Sequence, residues 1–81
     1  MPIPDNISAI ASIVAADWKD MYFGARPYLE AMYSLNSVQD AYGADSAKSI
    51  VCYFLANAQT WKGTAAREVK QKLNQLLKQR R

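Results

Sequence analysis

Eighty-one residues make one domain, near the size at which a single hydrophobic core supplies only a few kcal/mol of net stability; with 51% hydrophobic residues and nine aromatics, a compact fold is expected. The lone cysteine, Cys52, excludes an internal disulfide, and without any histidine neither a structural zinc site nor the usual neutral-pH acid–base catalyst is expected. The net charge of +3 is polarised: residues 60–81 hold seven Lys or Arg against the single acid Glu68, whereas residues 1–59 hold six acids against three bases.

In chain order, Asp5 or Asn6 can cap a first helix, because Ile7, Ile10, Ala11, Val14, Trp18 and Met21 then recur at the i, i+3, i+4, i+7 spacing of one helical face. Ile3 precedes the caps and can staple against the first turns, while Asp17 and Asp20 fall on the outer face. Phe23-Gly24-Ala25-Arg26-Pro27 breaks the pattern, since Gly24 suits a left-handed C-terminal position and Pro27 the first turn of a new helix. The second helix is placed from 27 to about 35, burying Leu29, Met32 and either Tyr33 or Leu35. Asn36 and Ser37 interrupt it; Ser37-Val38-Gln39-Asp40 either begins a further turn or two ending near Gly43 or continues the helix unbroken. Asp45 is placed as the N-cap of a third helix, whose apolar stripe of Ala47, Ile50, Val51, Phe54, Leu55, Ala58 and Trp61 stops at Gly63. Thr64 caps a fourth, which buries Ala65 or Ala66, Val69, Leu73, Leu76 and Leu77 and sets Lys78, Arg80 and Arg81 beside its negative C-terminal end. No strand-like alternation competes, so the expected fold is all-α, a small bundle of three to four helices over residues 1–81.

Catalysis is not expected. Cys52 has no histidine partner and shares a helix with Ile50, Val51, Phe54 and Leu55, which makes it a buried structural thiol. Asp17 and Asp20 lie one turn apart and could bind a cation, but two exposed carboxylates on a helix are far more often a solvated face. The sharper candidate is Trp61-Lys62-Gly63-Thr64-Ala65-Ala66-Arg67. A helix start there offers free backbone N–H groups, the Thr64 hydroxyl, and the cations Lys62, Arg67 and Lys70, with Trp61 as a stacking face for a base. The same residues have a structural reading, which carries more weight: Trp61 anchors the end of the third helix, Gly63 closes it and Thr64 caps the fourth. A helix, a short turn and a basic helix also suggest DNA binding, with Arg67 and residues 70–72 facing phosphates or base edges; against it, the fourth helix spends Val69, Leu73, Leu76 and Leu77 on packing. A second candidate is the aromatic group Trp18, Tyr22, Phe23, Tyr28 and Tyr33 with Arg26 at the hinge, divided evenly between core and an interface.

The stretch Tyr53-Phe54-Leu55-Ala56-Asn57-Ala58, then Thr60-Trp61-Lys62-Gly63 and Ala66-Arg67-Glu68-Val69-Lys70, resembles short open reading frames of phages, prophages and mobile elements. The resemblance covers under half of the chain and brings no named family or known active residue. It implies a class of small binders: inhibitors of host defence, sponges for nucleotide signals, or DNA-associated accessory factors. Met1-Pro2-Ile3-Pro4 lacks a basic signal-peptide start, and the apolar run at 50–56 is far short of the ~20 residues that cross a bilayer, so a soluble, cytoplasmic protein without a membrane partner is expected. With disulfide and metal excluded, oligomerisation is the stabiliser left. The expected function is therefore a non-enzymatic, anti-defence-like inhibitor that occupies a host protein, without cofactor and as a homo-oligomer. Nucleic acid bound by the basic helix, or a sequestered nucleotide-type phosphorylated ligand, are the alternatives.

Overall fold

In a computed structural model, which describes residues 3–43 and 45–78, the chain is all-α: four α-helices, α1 (Ile7–Asp17), α2 (Arg26–Met32), α3 (Ala47–Ala56) and α4 (Thr64–Leu77), with a 3₁₀ turn (Phe23–Ala25) leading into α2. One two-residue hairpin, β1 (Ala41–Tyr42) with β2 (Asp45–Ser46), precedes α3. Arg80 and Arg81, assigned above to the end of the fourth helix, lie outside the described residues.

Asn6 is the cap of α1: its backbone is extended and its side-chain oxygen accepts the Ala9 N–H at 2.9 Å. The cap is tied across the molecule, because the Ile7 N–H donates to the Asn36 carbonyl at 3.2 Å and Asn6 Nδ2 donates to Asn36 Oδ1 at 3.0 Å. Asp40 in turn holds that loop, accepting the N–H groups of Asn36 and Ser37 at 2.8 and 3.2 Å. A helix from 27 to about 35 is thereby shortened to Met32, and Leu35 and Val38 are buried from the loop.

Several boundaries differ from the expected ones. Helix α1 ends at Asp17 instead of continuing towards Met21, because Trp18 leaves helical dihedrals (φ −92, ψ 81) and turns its ring into the core. Gly24 is not left-handed, and its constraint is closeness: a Cβ there would lie 2.5 Å from Cε2 of the Tyr22 ring. In place of a helical turn ending near Gly43, Gly43 (φ +59) opens the hairpin turn; Asp45 pairs with Tyr42, and Ser46 takes over the capping role, its Oγ accepting the Ser49 N–H at 3.1 Å. Helix α3 stops at Asn57, whose side-chain N–H donates to the Tyr53 carbonyl at 2.8 Å, so Ala58 and Trp61 are buried from the connecting segment and not from the helix. Gly63, at φ +113, is the N-cap of α4, Thr64 is its first helical residue, and no side chain caps this helix. Cys52 is exposed, contrary to the buried thiol expected, because Ala47, Ile50, Val51 and Phe54 set the buried stripe of α3 and position 52 falls outside it.

The core is continuous from Ile7, Ile10 and Val14 of α1 through Leu29 and Met32 of α2 and Val51 and Phe54 of α3 to Val69 and Leu73 of α4. The Trp18 ring stacks on Trp61, centroids 5.6 Å apart and 12° between planes, and meets Phe54 edge-on at 6.4 Å. Among the described residues no helix is long and apolar enough to cross a membrane.

Candidate functional site

Among the described residues, two exposed surfaces carry the candidate binding residues. On α4, Ala66, Val69, Leu73 and Leu76 are buried, while Ala65 and Leu77 are only half-buried. The opposite side carries Arg67, Lys70, Gln71, Asn74, Gln75 and Lys78, which line one shallow depression at the i, i+3, i+4, i+7, i+8, i+11 spacing of a single face. A second depression continues from it past the helix start, formed with Lys62, Gly63 and Thr64. Packing and presentation thus use opposite sides of α4. The apolar residues counted against a binding role leave the outer side free.

Trp61 does not offer a stacking face. It is 2% exposed, with one side of the indole against Trp18 and its Nε1–H donated to Asp17 Oδ2 at 2.9 Å. This removes the base platform on which nucleotide sequestration leaned, and gives Asp17 a structural partner; Asp20 lies beyond the end of α1, so the two carboxylates do not share a helical face. Among the described residues no group of three or more His, Cys, Asp or Glu is placed to hold a metal ion. The cations are brought together more closely. Lys70 Nζ donates to the Trp61 carbonyl at 2.8 Å, and Lys70 is held below the usual lysine range first by burial and then by the charge of Lys62. Lys72, placed above among the phosphate contacts, instead bonds Asp5 at 2.7 Å and ties α4 to the start of α1. Asn74, Gln75 and Lys78 join this face beyond the 70–72 run that the sequence reading had towards phosphates or base edges, and their helical period opposite Val69 and Leu73 was the signal available.

The second surface is aromatic. Phe23 is 78% exposed on the 3₁₀ turn and packs on Tyr22, ring centroids 5.0 Å apart. Tyr28 of α2 is half-buried against the exposed Tyr53 of α3 at 5.4 Å, and Arg26 is exposed between the turn and Tyr28. Tyr22 also borders a depression with Asn57, Gln59 and Thr60 of the segment leading to α4. The even division of the hinge aromatics resolves residue by residue: Trp18 goes to the core, whereas Tyr22, Phe23 and Tyr33 stay outside. Tyr53, not among the sequence candidates, joins them. Comparison with protein-family models, curated proteins and solved structures gives no match for this chain.

Proposed function

We propose that this chain is a non-enzymatic binding protein of phage or mobile-element type that acts by occupying the surface of a host protein through Tyr22, Phe23, Tyr28 and Tyr53. The observation that carries the reading is Phe23, a phenylalanine left 78% exposed beside a second exposed aromatic ring. Burying such a ring is worth ~1.5–3 kcal/mol, and aromatic residues with a neighbouring arginine are the side chains that dominate protein interfaces. The turn is short and Tyr22 lies over Gly24, so little ordering is required when a partner arrives. The resemblance carried by residues 53–70 supports the phage or mobile-element setting.

The test is capture from bacterial lysate by wild type and Phe23→Glu, followed by reconstitution with the purified partner. A defined complex weakened at least tenfold by Phe23→Glu, equivalent to ~1.4 kcal/mol, supports the reading when circular dichroism shows both proteins folded. A reconstituted complex indifferent to Phe23→Glu and to Tyr53→Ala would remove it. If light scattering instead gives a dimer that Phe23→Glu splits into monomers, the surface belongs to a second copy of the chain.

A further inference from the structure

The outer face of α4 has no part in that reading, yet its composition is selective. Its six lining residues are three cations and three amides with no acid among them; Glu68, the single acid of residues 60–81, does not line it. Charge complementarity points to a polyanion. The amides narrow the choice, because Gln and Asn present a donor and an acceptor together, the pair that matches a base edge. Fourteen residues of helix extend ~21 Å, and the side away from the core is open along its whole length.

We propose that this face docks duplex DNA, with α4 lying in the major groove, Lys62, Arg67 and Lys78 on phosphates, and Gln71 and Gln75 towards base edges. Asn74 is left out of base reading because its side-chain N–H already donates to the Lys70 carbonyl at 2.9 Å. Lys70 holds the Trp61 carbonyl and lends its charge from the edge of the face. The B-form major groove, ~12 Å wide, admits a helix, while the narrow major groove of an RNA duplex does not. The geometry differs from a helix-turn-helix: residues 57–63 separate α3 from α4, more than the three or four residues of that turn. Like charges gathered at Lys62 and Lys70 repel one another in the free protein, and a phosphate between them reverses the sign of that interaction.

The experiment is fluorescence anisotropy with short labelled DNA duplexes over a salt series, with RNA duplex, single-stranded DNA and polyglutamate as competitors. Three phosphate contacts predict a slope of about −2.7 in log affinity against log salt. Arg67→Ala with Lys78→Ala should flatten that slope by roughly two thirds, and Gln71→Ala with Gln75→Ala should leave it unchanged while lowering the preference for a selected duplex over random duplex by about tenfold. All four side chains are exposed, so the variants should melt as wild type does. Phe23→Glu should bind DNA unchanged, which separates this proposal from the protein-binding one. No saturable duplex binding at low salt overturns it. So does a slope that Arg67→Ala with Lys78→Ala fails to move, or equal competition by polyglutamate, which would assign the face to an acidic polypeptide.

Discussion

The turn around Phe23 and the outer face of α4 are both open to water, but they are built in different ways. The α4 face follows from one helix: with Ala66, Val69, Leu73 and Leu76 inside, the 3.6-residue period sets Arg67, Gln71, Asn74 and Lys78 outside. The Phe23 surface has no shared period and draws on a 3₁₀ turn, the start of α2 and the middle of α3. Their exposures also carry different weight. Solvated cations on a helix are ordinary and point to function only through their company of amides, whereas a grouped, water-exposed phenylalanine forgoes burial and is informative by itself.

Trp61 lies under the basic face, yet it belongs to the core. Trp61→Ala should cost ~3–5 kcal/mol in urea unfolding, a large share of the stability of so small a domain. Trp61→Phe, which keeps a ring against Trp18 and loses the bond to Asp17, should cost ~1 kcal/mol. A Trp61→Ala protein with wild-type stability and altered ligand binding would return the indole to the binding site.

Phe23 should behave in the opposite way. Phe23→Ser should change stability by no more than ~0.5 kcal/mol, since little of the ring is buried to lose, while partner binding falls at least tenfold. A loss of several kcal/mol in the same unfolding measurement would place Phe23 in a core interaction and leave the aromatic surface without its anchor. Cys52→Ser sharpens the same contrast on α3. An exposed thiol predicts a stability change within ~0.5 kcal/mol and prompt reaction of the native protein with a thiol reagent. Protection from that reagent until global unfolding would show the thiol to be covered.

Periodicity explains which parts were legible in the sequence. The all-α class and the buried sets of α1, α3 and α4 repeat at helical spacing and are readable from the residues themselves. The errors collect where the chain leaves that spacing while its apolar pattern continues. Trp18 and Trp61 extend the stripes of α1 and α3 by count, yet both reach the core from non-helical segments, because ring stacking and the Asp17 bond join residues 43 and 44 positions apart. Helix α3 ends where the Asn57 dihedrals (φ −100, ψ 7) leave the helical range, and Gly63, not Thr64, forms the α4 cap through a backbone conformation that glycine favours. The hairpin at 41–46 has strands of two residues, too short for alternation to register. At the candidate sites, Lys62, Arg67 and Phe23 were visible as residue types. Their separation from Lys72 and Trp61, which serve the fold, depended on contacts distant in sequence.

The smallest expected effect concerns how closely the cations of the basic face are gathered. Burial and the neighbouring Lys62 both disfavour the charged form of Lys70, so its folded pKa lies below the ordinary 10.5. The native protein therefore holds this proton less tightly than the unfolded chain does. The ammonium costs stability at neutral pH, and the cost disappears as pH rises through the folded pKa to 10.5. A ¹³Cε titration of Lys70 should show a midpoint below the ordinary 10.5. Lys62→Ala should raise the Lys70 midpoint only part of the way, because burial is the larger cause and survives the substitution. Saturating duplex DNA should raise it too, since a phosphate at this corner favours the ammonium. A midpoint unmoved by Lys62→Ala would mean that the two ammonium groups are too far apart to share one phosphate, and Lys62 would then drop out of the docking face while Arg67 and Lys78 remained.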